Sequence, residues 1–245
     1  MSTLYLPESM GWGNVVIMLS DLVYNNKNPR VYKQILDVDR GVTFNGITIT
    51  DNHNEEKYDG KIFINQYTYN NVHSLCRSII KPTPELENLI KSHKHGCNYG
   101  IHIRRGAHSK DSENIGCHGF DENKNIKKAY FATDNAVNKF IEIVKNSDER
   151  FYLASDSKEI KEMFKDKFPD RVITLDTDIA LTYDCIVLNN KDDKTSRLNC
   201  YLDWFLLSQC KNLYITGGNN DLSDMSTFGY TAGVYGSSNI HFIFN

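Results

Sequence analysis

Tyr99-Gly100-Ile101-His102-Ile103-Arg104-Arg105-Gly106 is the stretch that decides the fold of this 245-residue chain. Gly100 to Ile103 read as a short buried strand, and two adjacent arginines follow where that strand emerges. In open α/β sheets, ligands sit beyond the carboxyl ends of the strands. Arginine suits a phosphate there, because its planar fork of N–H donors grips two oxygens at once and stays charged. The stretch implies a phosphate or pyrophosphate ligand; a strand end with two solvated arginines is the plain alternative. Side chains alternate along a strand, so His102 and Arg104 share one face and Arg105 takes the other. We expect Arg104 to reach the ligand and Arg105 to prop the structure through a carboxylate.

Outward from this strand, the pattern becomes regular. A helix from about Thr133 to Lys145 carries Ala136, Val137, Phe140, Ile141 and Val144 on one face. Strand Arg150–Ala154, helix Ser157–Phe168 and strand Arg171–Leu175 follow. A helix from about Ser196 to Cys210, strand Asn212–Thr216, a Gly-rich turn, a short helix and strand Ile240–Phe244 complete the series. Strands alternating with helices of this length predict parallel βαβ units in a doubly wound sheet. Before residue 95 the chain is less regular. Leu4 to Leu6 and Lys61 to Tyr67 read as strands, and Val15 to Tyr24 as a buried helix. Val42–Phe44 and Ile47–Ile49 flank Asn45-Gly46, a hairpin signal. Thr83 and Pro84 supply an N-cap and a first helical residue for a helix through about Ser92. The expected fold class is α/β, with a reduced N-terminal α/β half over residues 1–95 and a Rossmann-like parallel sheet over residues 96–245.

Composition narrows the class. A net charge of −3 supplies no global basic field for nucleic acid. The six cysteines are scattered without a CxxC pair, which fits reduced thiols. The N-terminus has no basic region ahead of a long apolar run, and no stretch reaches the ~20 apolar residues of a membrane span. The expected setting is the cytoplasm, microbial or that of a virus-infected host, since asparagine and lysine are frequent. His93, His95, Cys97 and the Cys117-His118 pair lack the tight paired spacing of a zinc site, so no metal is expected.

Four loops fall at strand ends. Gly11-Trp12-Gly13-Asn14 precedes a helix, where glycines allow close approach of a ligand to the backbone; a turn capped by Asn14 is the plainer reading. His102, Arg104 and Arg105 form the second. In the third, Ala154-Ser155-Asp156-Ser157, Asp156 with Glu159 resembles a capping box, and Ser155 or Asp156 is placed to meet a nucleobase or ribose as well. The fourth, Thr216 to Ser223, is a turn of small polar residues suited to phosphate oxygens.

Taken in order, these loops resemble the GT-B type fucosyltransferases, which include α1,2- and α1,6-fucosyltransferases and protein O-fucosyltransferases. The family's strand ending in His-x-Arg-Arg-x-Asp is matched by His102-Ile103-Arg104-Arg105-Gly106, with Ala107 where the family is acidic. Gly11-Trp12-Gly13-Asn14 is similar to its early Gly-x-Gly-Asn, and Phe151 to Asp156 to its Phe-Leu-Ala-Ser-Asp strand. Asp203 to Cys210 resembles a helix of the family, and Asp221-Leu222-Ser223 stands where the family has Ser-Phe-Ser. The resemblance covers about residues 98–235.

That resemblance implies an inverting transfer of fucose from GDP-fucose to a glycan or other hydroxyl acceptor, with no metal or other cofactor. It implies Arg104, Asn14 and Glu113 as catalytic residues, Glu113 as base among His108, Asp111, His118 and Asp121 of the Ala107–Lys128 loop. It implies donor binding by His102, Arg104, Arg105, Gly13, Ser155, Asp156, Asp221 and Ser223. The partners implied are a GDP-sugar donor and a carbohydrate acceptor, with an oligomer or a partner chain completing the acceptor side of the short front half. A GDP-sugar-binding protein without turnover, consistent with Ala107, and a transferase of another nucleotide-sugar are the alternatives.

Overall fold

The computed structural model describes residues 3–4, 11–25, 30–32, 41–50, 72, 76–105, 131–176, 194–219 and 224–245. Strand β1 (Thr3–Leu4) precedes helix α1 (Trp12–Asn25), followed by β2 (Arg30–Tyr32), β3 (Val42–Phe44), β4 (Thr48–Thr50) and β5 (Ile80–Pro82). Helix α2 (Pro84–Ser92), β6 (Tyr99–Ile103), α3 (Asp134–Lys145), β7 (Phe151–Ser155), α4 (Lys158–Lys167) and β8 (Val172–Ile173) come next. Helix α5 (Lys194–Leu207), β9 (Asn212–Gly218), α6 (Thr227–Gly236) and β10 (Asn239–Phe244) close the series. Strands β6 to β10 form one parallel sheet in the order β10-β9-β6-β7-β8. The first strand of the series is central, and the direction of winding reverses on either side of it. This leaves the crevice of a doubly wound fold between the carboxyl ends of β6 and β9.

Side-chain alternation sorts the sheet into two cores. Ile101, Ile103, Phe151 and Leu153 are buried against Ala136, Val137 and Phe140 of α3 and Ile160 and Phe164 of α4. On the other face, Tyr152, Ala154, Leu213 and Ile215 are buried with Trp204 to Leu207 of α5 and Ala232 and Val234 of α6. Val15 to Leu19 of α1, Val42 of β3 and Leu86 of α2 belong to that second core, so residues on both sides of position 95 share it. Trp204 is fully buried there, packed edge-on against Trp12 and Phe205. Such pairs contribute about 0.5–1.5 kcal/mol each beyond their buried area.

Local signals explain several helix starts. Thr83 and Thr133 accept hydrogen bonds from Leu86 N and Ala136 N, as N-caps do. The Asn45-Gly46 reading needs correction. Gly46 turns the chain at φ 74°, yet the flanking strands do not pair with each other. β3 runs antiparallel to β5, β4 runs parallel to β2, and Asn45 donates its backbone N–H to Ile79 O at 2.7 Å. Pairing with β5 sets Phe44 opposite buried Ile80 and carries Val42 into the common core, and burial overrides the turn signal. The strand expected at Lys61–Tyr67 lies outside the described residues. No helix among the described residues is long and apolar enough to cross a membrane.

Candidate functional site

The carboxyl ends of β6, β7 and β9 deliver the polar groups of the crevice. Arg104 leaves β6 with its backbone N–H donated to Thr216 Oγ1 on β9 at 3.0 Å, and that hydroxyl donates to His102 O at 3.3 Å. Thr216 is fully buried and ties the strand ends across the switch point. The Arg104 guanidinium lies 5.5 Å from the Phe131 ring centre, and its Nη1 is 3.2 Å from Asp156 Oδ2. Its side chain keeps 23% of its surface exposed, against 6% for Asp156, so the cation is held but reachable.

Arg105 turns the other way, as strand alternation requires. Its Nη1 donates to Ala132 O at 2.6 Å, and its Nη2 pairs with Asp134 at the start of α3. Its side chain is 13% exposed. Arg105 therefore pins the return of the chain into α3, and Arg104 is the more exposed of the two side chains.

Asp156 is not the cap of α4, which corrects the capping-box reading. Ser157 caps that helix by accepting from Ile160 N. Asp156 Oδ1 instead accepts the backbone N–H of Arg105 at 2.7 Å, so its carboxylate is committed to the arginine pair one strand away. Ser155 is buried, donating to Ile103 O at 2.8 Å and accepting from Ser157 N at 3.2 Å. It locks β7 to β6.

The Gly11 to Asn14 reading also shifts. Helix α1 begins at Trp12, and Asn14 N and Val15 N both donate to Gly11 O. Gly11 thus holds the N-cap position, and Asn14 lies inside the first turn rather than capping it. Among the described residues, Asn14 Oδ1 is buried without a hydrogen-bond partner, as is the Trp12 indole N–H. Gly13 packs on the first turn of α6 so closely that a Cβ there would overlap the backbone of Thr227 and Phe228. Two helix starts, each a source of unpaired backbone N–H groups, meet at this contact.

His102 is buried to 3% exposure, with Nδ1 3.0 Å from Ser226 Oγ and its ring stacked on Phe228 at 5.0 Å. Burial, reinforced by the charges of Arg104 and Lys161, pushes its pKa down to about 3, so the ring is neutral. Behind β7, the buried Asp203 accepts from Tyr152 OH at 2.5 Å. Burial raises the Asp203 carboxyl, opposed by Lys161 and by this hydrogen bond.

The structure thus brings together Arg104, Arg105, Asp156, Ser155 and His102, with Gly13 and Asn14 joined to the same end of the sheet through α6. Glu113, its alternatives in the Ala107–Lys128 loop, Asp221 and Ser223 lie outside the described residues. Sequence reasoning missed Phe131, the latch role of Thr216, and the Ser226 start of α6. Serine directly before a helix was the available signal for the last. His95 has both ring nitrogens on backbone groups, Leu206 O and Cys97 N. Among the described residues no cluster of three His, Cys, Asp or Glu could hold a metal ion.

No protein-family model matches this chain, and no curated protein sequence matches it. Solved structures do. The fucosyltransferase NodZ from Bradyrhizobium superposes with a TM-score of 0.51 at 12% identity, covering 94% of this chain and 91% of that one. The NodZ α-1,6-fucosyltransferase co-crystallized with GDP gives 0.52 at 12% identity over 94% and 91% of the two chains. The same enzyme soaked with GDP-fucose gives 0.51 at 11% identity over 96% and 92%. At such identity the likeness concerns architecture: this chain has a GT-B-like α/β fold shared with those fucosyltransferases.

Proposed function

We propose that this chain is an inverting glycosyltransferase that moves fucose from GDP-fucose to a hydroxyl acceptor. The observation that carries the reading is the placement of Arg104. Its partly exposed guanidinium stands at the carboxyl end of the sheet, held by Asp156 and Phe131, at the same end of the sheet as the start of α6. A fixed, reachable cation at the carboxyl ends of parallel strands suits a diphosphate. The shared fold, in neighbours crystallized with GDP and GDP-fucose, supports this choice of donor.

In the proposed reaction the acceptor oxygen attacks the anomeric carbon from the face opposite the diphosphate. The bond from that carbon to the β-phosphate oxygen breaks, and its electron pair stays on the phosphate as GDP leaves. Arg104 stabilises the charge that grows on this oxygen, and stabilisation strongest in the transition state is what accelerates the step. The acceptor proton passes to a base, for which Glu113 is our candidate, or to water. Asn14 serves a sugar hydroxyl with its carbonyl oxygen or the pyrophosphate with its side-chain N–H groups, Ser155 and Asp156 shape the nucleoside end, and Asp221 and Ser223 complete the donor loop. The scheme assigns no role to a metal or other cofactor.

The test is calorimetric titration of GDP-fucose, GDP-mannose and UDP-galactose into wild type and Arg104→Ala, followed by an assay of GDP release with candidate glycans. Selective GDP-fucose binding lost in the variant supports the reading. Equal binding in both proteins, or none in wild type, overturns it.

A further inference from the structure

The face of the parallel sheet that carries α3 is not covered evenly. The connection from β9 to β10 runs through α6, which packs on the opposite face with α1 and α5, and Tyr214 of β9 is left half-buried on the α3 side. Between Tyr214 and the flank of α3 lies a groove of about 660 Å³, a volume typical of small-molecule sites. Tyr99, Phe151 and Tyr214 line it from three adjacent strands. Opposite them stand Asn135, Lys139 and Glu142 of α3 and its C-cap Asn146, spaced as one side of a helix requires.

The rings and the wall are fixed. Tyr214 stacks on His241 at 4.8 Å, and Tyr99 packs on buried Phe151 at 5.5 Å. Lys139 Nζ donates to Phe244 O at 2.8 Å and Thr133 N donates to Asn245 Oδ1 at 2.7 Å, which ties α3 to the end of β10. Asn135, Glu142 and Asn146 are exposed at the groove.

This lining selects a class of ligand. Each asparagine amide offers an acceptor and two donors in one plane, and the glutamate offers two acceptors. The aromatic side chains offer apolar rings with polar tips. A sugar ring, with an apolar C–H face and hydroxyls around its rim, satisfies both sets at once. An apolar ligand would strand the amides, which costs more than its contacts with the rings return. An anion finds no free charge, because Lys139 is balanced by Glu142 and already donates to Phe244 O. The stripe from Asn135 to Asn146 runs about 16 Å along the helix, roughly the length of three linked sugar rings.

We propose that this groove is a second carbohydrate site, which holds a short run of a neutral oligosaccharide away from the donor crevice. Tyr99 and Phe151 are the first residues of β6 and β7, and Arg104 lies about 16 Å further along β6. A glycan held here therefore leaves the place of the nucleotide open. The inference stands on the lining of the groove and does not depend on the donor reading.

The experiment titrates maltohexaose, laminarihexaose and cellohexaose into the isotope-labelled protein and follows the side-chain amide signals of Asn135 and Asn146 by NMR. Heparin hexasaccharide and tetra-alanine serve as anionic and peptide comparators. We expect at least one neutral hexasaccharide to move both signals saturably. For that sugar, read from the backbone amides of Glu142 and Ile143, Asn135→Ala/Asn146→Ala should raise Kd about tenfold through two lost hydrogen bonds. Tyr214→Ala should raise it about two- to tenfold through a lost ring contact. Both asparagines are exposed, so their variant tests the site even where the loss of Tyr214 disturbs packing. GDP affinity should stay unchanged in every variant. No shift with any of the three neutral sugars, wild-type affinity in the asparagine variant, or tighter binding of heparin hexasaccharide or tetra-alanine overturns the inference. Failure of wild type to bind GDP overturns the donor reading alone.

Discussion

The Asp156 carboxylate lies 3.2 Å from Nη1 of Arg104 while its other oxygen accepts the backbone N–H of Arg105. One acidic group on β7 therefore sets both the side chain of the first arginine and the backbone of the second. Asp156→Asn keeps an acceptor for the Arg105 N–H but releases the charge that orients Arg104. We expect up to about tenfold weaker GDP binding in calorimetry with little change in melting temperature, because an oriented donor loses less entropy on binding. Asp156→Ala also strands the Arg105 N–H, and should in addition lose about 1–3 kcal/mol in a denaturant titration.

The two arginines predict opposite phenotypes. Arg104→Ala should lower turnover about 10²- to 10³-fold with a near-normal melting curve, and Arg104→Lys should rescue it poorly because a point charge cannot reproduce the fork. Arg105→Ala removes the Ala132 and Asp134 contacts and should cost about 1–2 kcal/mol of stability. Turnover assays beside urea titrations of the same preparations separate the two.

Gly13→Ala should be severe. The added Cβ would meet backbone atoms of Thr227 and Phe228, which cannot rotate away. A loss of about 1–3 kcal/mol or more is expected, with weaker GDP binding as the helix starts are forced apart. At Gly11 no atom of the described residues lies within 4 Å of where a Cβ would stand, so Gly11→Ser should be neutral or slightly stabilising as an N-cap. Paired thermal melts decide it.

His102 has a pKa near 3 when folded and an ordinary value of 6.5 otherwise, so the unfolded chain binds more protons between those limits. Stability contributed by the neutral ring is complete above pH 6.5 and is lost as pH falls towards 3. Buried His95 is shifted in the same direction, while Asp203, raised by burial, works against it. His102→Asn should reduce the slope of stability against pH, between about pH 4 and 6, by up to about 1.4 kcal/mol per unit. Urea titrations across that range provide the check.

The second half of the chain was legible because its signals are local. The helical face of Ala136, Val137, Phe140 and Val144 needs only its sequence neighbours, as does the cap Thr83 ahead of α2, and each appears as expected. Readings that depended on distant partners failed. The Asn45-Gly46 turn suggested a hairpin, but β3 found its partner near Ile80. Asp156 looked like a cap, but a backbone N–H some fifty residues earlier claims it. The start of α6 was overlooked for the same reason, since the Ser226 hydroxyl meets a histidine on another strand. The expected carboxylate partner of Arg105 is Asp134, and Arg104 has one as well in Asp156.

Helix α1 comes from the front of the chain but shares its core with α5 and α6, and its Gly13 is seated against Thr227. Any motion that widens the crevice by swinging the front half outward must either leave α1 behind or break that seat. The end of the cleft that carries both helix starts would then behave as a fixed jaw.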